Sequence, residues 1–248
     1  MAARKQTRHI PWLGNLDIAH RGLFDRTEGR EENTLSAITY AADKGYAVEF
    51  DVVLTRDETV IVFHDATLDR LTDGKGRVDT VDFADLAHTP TKLNGEPIPC
   101  LADVLSAVAG RVPIYLEIKS ARKYDPTRLC REVYRLLADY KGDVCIMSFD
   151  PRAVRWFRKN APEIVRGLVI EDKTLQKTSS RLMLRYAIRR NTPDFLSVDI
   201  SSLPHPYYTR WRKTGKKLIT WTVRTKEQEV LGRQHTDALT FEKPAVLS

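Results

Sequence analysis

Two charged pairs stand at strand spacing inside apolar runs. Glu49 and Asp51 lie in Tyr46-Ala47-Val48-Glu49-Phe50-Asp51-Val52-Val53-Leu54, and Glu117 and Lys119 in Val112-Pro113-Ile114-Tyr115-Leu116-Glu117-Ile118-Lys119. Residues i and i+2 of a β-strand share one face, about 6 to 7 Å apart, so each pair projects to one side. Ionised carboxylates on the inner face of a strand require a cation or a hydrogen-bond network to compensate them. Glu49, Asp51 and Glu117 offer the hard oxygen ligands that Mg²⁺ and Ca²⁺ prefer. Without an ion, their mutual repulsion raises at least one pKa. Interior ion pairs with Arg21 and Lys119 are the alternative reading of the same residues.

Near these pairs lie His20-Arg21-Gly22 and His64-Asp65. Two histidines flanking a phosphate can serve as general base and general acid near neutral pH. Taken singly, each reads first as a hydrogen-bonded structural histidine; His9, His88, His205 and His235 stay with that reading. Arg21 can grip a phosphate through two parallel hydrogen bonds, whereas Lys119 acts as a compact point charge. Gly22 lets the backbone turn tightly after a strand. Together these groups suggest a site for a metal and a phosphate.

Residues so far apart in sequence need a fold that brings strand ends together. Short apolar runs alternate with amphipathic segments, the signature of βα units around a parallel sheet. The pattern predicts strands near 16–20, 47–54, 112–118, 143–148, 165–170, 195–199, 217–223 and 237–241. It predicts helices at about 33–44, 101–109, 126–140, 151–160, 175–190, 205–214 and 226–234. Eight strands fit a (β/α)8 TIM barrel, whose active site lies at the C-terminal strand ends; a doubly wound open sheet is the runner-up. Asn33 or Thr34 can cap the first helix and Gly45 can end it, while Asp150 before Pro151 reads as N-cap and first helical residue. Turn signals crowd residues 65–100, including Thr72-Asp73-Gly74-Lys75-Gly76 and Asn94-Gly95-Glu96-Pro97. This stretch is expected to be a small insertion after the second strand, following a short strand at Thr59 to Phe63. No repeat or linker divides the 248 residues, so a single domain over 1–248 is expected.

With 42% hydrophobic and 29% charged residues, the chain has the composition of a folded globular protein, so disorder does not dominate. No apolar run reaches membrane-span length, and the basic start Met1 to His9 lacks an apolar segment after it, so neither secretion nor a membrane span is expected. Cys100, Cys130 and Cys145 are odd in number and without CxxC spacing, which favours a reducing, cytoplasmic setting. The formal charge of +7 favours anionic partners without choosing among phosphodiesters, acidic membranes and nucleic acid. Arg181, Arg185 and Arg189 recur every four residues beside Leu182, Leu184, Tyr186 and Ile188, and read as the solvated basic face of an amphipathic helix.

An ordered set of fragments carries a family resemblance. It runs through Ile18-Ala19-His20-Arg21-Gly22, Glu32-Asn33-Thr34, Glu49-Phe50-Asp51-Val52, Thr55-Arg56-Asp57 and His64-Asp65 with Leu68-Asp69-Arg70. It continues through Ile98-Pro99, Leu116-Glu117-Ile118-Lys119, Ser148-Phe149-Asp150 and Trp221-Thr222-Val223. From about residue 16 to 244 the chain resembles the glycerophosphodiester phosphodiesterase family; each fragment is weak, but the ordered set is specific. The resemblance implies a (β/α)8 barrel that cleaves glycerophosphodiesters, with a metal, into sn-glycerol 3-phosphate and an alcohol, within lipid and glycerol metabolism. It implies one divalent cation, Mg²⁺ or Ca²⁺, on Glu49, Asp51 and Glu117, proton transfer by His20 and His64, and phosphate binding by Arg21 and Lys119. It adds Asn33 as a support for metal or substrate and Trp221 as a site-lining aromatic, with barrel packing the equal alternative for the indole.

Two departures from the family pattern stand out. Glu31 occupies a position where proline is frequent, and Phe241-Glu242-Lys243-Pro244 replaces the frequent Thr-Asp-x-Pro ending, so Glu242 takes the aspartate's place without being assigned a catalytic role. Few residues follow the last strand, so residues 1–15 are expected to close the bottom or side of the barrel. The same fold also suits a lysophospholipase D or a phospholipase C-like cyclising enzyme, and a non-catalytic anion-binding barrel is the third reading. Partners are expected to be the small-molecule substrate and no nucleic acid, with peripheral membrane contact and oligomeric state left open. Loops 22–32 and 171–180 are expected to select the alcohol, while Arg26 and Arg30 read as surface residues.

Overall fold

The computed structural model describes residues 8–86, 88–120 and 125–243. Its strands are β1 Ile18–Ala19, β2 Ala47–Leu54, β3 Val60–Val62, β4 Ile114–Ile118, β5 Val144–Ser148, β6 Val165–Ile170, β7 Phe195–Asp199, β8 Lys217–Val223 and β9 Ala238–Phe241. All except β3 are parallel to their neighbours, in the order β1-β9-β8-β7-β6-β5-β4-β2, and β1 also pairs with β2. That last pairing closes the sheet and excludes the open doubly wound alternative. The result is an eight-stranded parallel barrel with helices between its strands.

The helices are α1 Leu35–Asp43, α2 Phe83–Leu86, α3 Leu101–Val108, α4 Thr127–Leu137, α5 Pro151–Asn160, α6 Thr178–Asn191, α7 Pro206–Arg212 and α8 Lys226–His235. Most expected elements appear within a few residues of their predicted bounds. Thr34 is the N-cap of α1, its hydroxyl accepting from the Ala37 N–H, and Gly45 follows in the left-handed region at φ 78°. Asp150 caps α5 ahead of Pro151 by accepting from the Arg152 N–H. The first strand is shorter than expected because the chain turns away directly after His20, with Arg21 at φ 54° and Gly22 at φ 76°. Residues 172–175 form a 3₁₀ turn, so α6 starts later than the helical period suggests.

Strand alternation sorts the core into two layers. Val48, Phe50, Val52, Ile114, Leu116, Ile118, Leu196 and Val198 face outward under the helices. Ile18, Ala47, Tyr115, Cys145, Met147, Val165, Phe195 and Ile219 fill the barrel interior together with Leu13. Residues 8–15 therefore plug the bottom: Trp12 packs edge-on against Tyr115, and the Gly14 N–H donates to the Tyr115 hydroxyl at 3.1 Å. Residues 1–7 of the expected closing segment, and Pro244, lie outside the described residues.

The insertion has its own small core, in which Ile61, Phe63, Leu68, Leu71, Val78 and Ile98 are all buried. Strand β3 pairs antiparallel with β2, which carries residues 64–70 over the mouth of the barrel. The Phe63 N–H donates to the Asp51 carbonyl at 3.0 Å, so His64 starts one residue from the acidic strand. Among the described residues no helix is long and apolar enough to cross a membrane, and all three cysteines are free.

Gly22 fixes the exit of the first strand. A Cβ there would stand 2.7 Å from the Ala37 backbone carbon, in addition to the strain of a positive φ. Gly22→Ala is expected to destabilise the fold by about 2 to 3 kcal/mol, since neither backbone can yield easily. A denaturant midpoint unchanged from wild type would show that this turn is not tightly packed.

Candidate active site

Glu49 and Asp51 point inward from β2, and Glu117 from β4 stands in register with Asp51. All three side chains are buried, and each offers a carboxylate oxygen within 4.8 Å of the others. That separation is within the span of one cation whose oxygen ligands lie at about 2.0 to 2.6 Å. The fit to a divalent ion also rests on charge. Burial, then Asp51 and Glu117, push the Glu49 carboxyl well above the usual range, and burial pushes Glu117 up to about 7 against the pull of Lys119. Burial would raise Asp51 too, but Lys119, Arg21, His64 and an Asn33 hydrogen bond hold it below the usual value. Two side-chain cations thus fall short of neutralising three buried carboxylates. A cation bound among them would supply the missing positive charge.

The surrounding residues hold this trio in place. Lys119 Nζ donates to Glu117 Oε1 at 2.9 Å and lies 3.4 Å from Asp51 Oδ1. Burial works against the Lys119 charge, but Asp51 and Glu117 raise its pKa. The Arg21 N–H donates to Glu49 Oε2 at 2.8 Å, and its guanidinium spans Glu32 at 2.5 Å and Asp51 at 3.5 Å. Asn33 adopts φ 59°, a conformation asparagine tolerates better than most residues. From there its amide donates to Asp51 Oδ2 at 3.0 Å and accepts from the Asp51 N–H at 3.2 Å. The conformation that bars Asn33 from capping α1 aims it at Asp51.

Each histidine is backed by a carboxylate that an arginine grips. His20 Nδ1 lies 2.8 Å from Glu242 Oε1, and Arg224 donates to both oxygens of Glu242 at 2.7 and 2.8 Å. His64 Nδ1 lies 2.6 Å from Asp65 Oδ1, and Arg70 binds Asp65 and reaches Glu32, which in turn holds Arg21. Burial opposes ionisation of both carboxyls, yet the histidine and arginine hydrogen bonds hold Asp65 and Glu242 down at about 2. An acceptor on Nδ1 fixes that nitrogen as the proton carrier of the neutral ring and leaves Nε2 free for chemistry. His20 Nε2 is 3.9 Å from Glu49 Oε2. Burial depresses the pKa of both imidazoles below the ordinary value.

His20, Arg21, Glu49, Asp51, His64, Glu117, Lys119 and Trp221 all line one cavity of about 140 Å³, with Asn33 behind Asp51. Trp221 walls the cavity edge-on to Phe149, ring centroids 5.3 Å apart, and packs on the interior core. Arg26 is exposed and pairs with Glu31 at 3.7 Å, whereas Arg30 is largely covered: it pairs with Glu28, donates to the Leu23 carbonyl and stacks on Tyr40. Sequence reasoning passed over Arg224, Arg70 and Glu32 as site members, although Arg70 and Glu32 stand inside the ordered fragments. It also passed over Ser197 and Thr240, whose buried hydroxyls line the cavity without a hydrogen-bond partner, as does the Trp221 indole nitrogen. Strand parity carries that signal, because Ser197 lies two residues from inward-facing Phe195.

The sequence profile of the Glycerophosphoryl diester phosphodiesterase family matches residues 20–246. The chain belongs to this family. Family membership makes it an enzyme of the phosphodiesterase class. A glycerophosphodiester phosphodiesterase of Caldanaerobacter subterraneus is 27% identical over 95% of this chain and 97% of its own. The human glycerophosphodiester phosphodiesterase 1 is 24% identical over 88% of this chain and 74% of its own. Among solved structures, an Oleispira antarctica phosphodiesterase in complex with the product sn-glycerol-3-phosphate superposes with a TM-score of 0.78 at 23% identity, covering 91% of this chain and 92% of that one. A putative family member from Silicibacter pomeroyi gives 0.80 at 20% identity, covering 97% and 93%. At these identities the structural likeness shows the shared barrel.

The raised carboxyls give the family site a pH signature. Unfolded, Glu117 releases its proton near 4.5; folded, it keeps it to about 7. Between those values the folded chain binds more protons, so its stability falls as pH rises through the window. The contribution of this group is fully present below the unfolded value and is lost as pH rises through the folded one. Because a bound dication replaces the proton, Mg²⁺ is expected to raise Tm more at pH 8 than at pH 5 in thermal melts. Equal gains at the two pH values would contradict the raised carboxyls.

Proposed function

We propose that this chain, acting as a single barrel domain, hydrolyses glycerophosphodiesters to sn-glycerol 3-phosphate and an alcohol. The observation that carries the reading is the convergence of three buried carboxylates, two cations and two carboxylate-backed histidines on one cavity. Glu49, Asp51 and Glu117 would hold one divalent cation, Mg²⁺ or Ca²⁺, which supplies Lewis-acid neutralisation of the phosphodiester. Arg21 and Lys119 bind phosphate oxygens and stabilise the charge that builds on them. With one dication and one phosphodiester monoanion, the three carboxylates and these two side chains balance to neutrality. One imidazole Nε2 removes a proton from the nucleophile, and the other delivers a proton to the departing alkoxide. Asp65 and Glu242 stabilise each imidazolium as it forms, and their arginines keep those carboxylates ionised. The unpartnered hydroxyls of Ser197 and Thr240 suit the hydroxyls of a glycerol moiety, with Phe149 and Trp221 as the apolar wall.

One feature favours a second reading, a lysophospholipase D. A largely apolar groove of about 680 Å³, lined by Val53, Leu54, Val78, Pro126 and Leu129, shares His64 and Lys119 with the site. Such a groove suits an acyl chain. Comparing kcat/KM for glycerophosphocholine and lysophosphatidylcholine separates the readings: preference for the first is expected, and preference for the second would shift the assignment to the lipid. Separating linear from cyclic glycerol phosphate in the same reaction distinguishes direct attack by water from cyclisation.

A further inference from the structure

The exposed basic face of α6 also carries large apolar side chains. Leu184 is buried and Ile188 packs on the core, but Leu182, Met183 and Tyr186 are 60%, 63% and 62% exposed. They are half of the large apolar residues that are exposed among the described residues, and they stand within five positions. Arg181, Arg185, Arg189 and Arg190 are exposed around them, with Arg190 donating to the Tyr186 hydroxyl at 3.1 Å. No acidic residue occurs between Asp172 and Asp194. Residues 173–217, which include α6 and α7, hold 11 Lys and Arg against two Asp, whereas the whole chain has 40 basic and 33 acidic residues. This stretch therefore carries more formal positive charge than the whole chain, four of its cations lie on α6, and the remainder of the sequence is net acidic.

We propose that the outward face of α6 docks the barrel on anionic lipid bilayers, with Leu182, Met183 and Tyr186 entering the headgroup region and the arginines pairing with lipid phosphates. An apolar strip rimmed by arginine on an in-plane helix is the composition of an interfacial anchor. A second copy of this chain is disfavoured as occupant, because two such faces bring like charges together with no carboxylate between them. Nucleic acid would use the arginines but leaves the Leu182–Met183 edge without a partner. Leu182 and Met183 lie in the first turns of α6, the end that follows the C-terminal strand ends, so docking holds the mouth close to the lipid surface.

The test is co-sedimentation with vesicles of phosphatidylcholine with and without phosphatidylglycerol, alongside turnover of soluble glycerophosphocholine. The wild-type chain is expected to bind the anionic vesicles and not the neutral ones. The double substitution Arg185→Gln with Arg189→Gln should weaken that binding by about 30-fold, as two lipid-facing charges are lost. Leu182→Ser with Met183→Ser should weaken it by at least about tenfold through lost apolar burial. These side chains are exposed, so thermal melts and soluble turnover should stay at wild-type values in both variants. Unchanged vesicle binding by either variant overturns the proposal, as does failure of the wild type to sediment. Sedimentation velocity that shows a dimer dissociated by the serine variant assigns the face to a second copy instead. Duplex DNA binding that needs the arginines but not Leu182 and Met183, without vesicle binding, assigns it to nucleic acid.

Discussion

Replacing either His20 or His64 with alanine is expected to lower kcat for glycerophosphocholine by about 10² to 10⁴, with the divalent ion still bound. That corresponds to roughly 3 to 5 kcal/mol of lost transition-state stabilisation. Each ring presents Nε2 to the cavity because Nδ1 is committed to Glu242 or Asp65. Loss of either ring therefore removes one proton carrier while the acidic trio stays intact. Steady-state kinetics with metal binding followed in parallel checks this, and near-normal turnover in both variants would remove the histidines from the mechanism. The supporting carboxylates should behave differently. Glu242→Gln and Asp65→Asn keep the imidazole in place but no longer stabilise its cation, so the pH–rate profile should move while KM changes little.

Asp51→Asn should have an effect of similar size by another route. Asp51 meets Arg21, Asn33 and Lys119 at once and is the member of the trio held most firmly ionised. The amide is isosteric, so packing survives, but one formal charge and one strong oxygen ligand are lost. Divalent-ion affinity by isothermal titration should fall by more than the 10- to 100-fold typical of outer partners, and turnover should fall with it. Asn33→Ala, which frees the Asp51 carboxylate without discharging it, should fall inside that 10- to 100-fold range. Equal affinity in wild type and Asp51→Asn would mean that the ion is held elsewhere.

Much of this arrangement was legible in the chain because strand parity is a strict rule. A charged i, i+2 pair in an apolar run must point to one side, and Glu49, Asp51 and Glu117 do converge. The turn-rich composition of residues 65–100 likewise marked the insertion. Its purpose was less visible: antiparallel pairing of β3 with β2 swings His64, Asp65 and Arg70 over the mouth, and such long-range pairing leaves little local trace. The arginine grips were hidden for the same reason. Arg224 and Glu242 are 18 residues apart, and only the parallel pairing of β8 with β9 brings them together. Asn33 was legible as a turn residue, but its contact with Asp51 depends on a positive φ that no spacing announces. On α6, the period identified the helix and its arginines correctly, while burial decided which apolar residues faced outward.

A cation on Glu49, Asp51 and Glu117, acting with His20 and His64, is expected to be required for glycerophosphodiester cleavage. The most direct measurement is release of sn-glycerol 3-phosphate from glycerophosphocholine by protein stripped with chelator and then titrated with Mg²⁺ or Ca²⁺. Product release that is absent after stripping, returns on titration to saturation, and is not restored in Asp51→Asn is the predicted result. Undiminished release by the stripped wild-type protein would contradict the account.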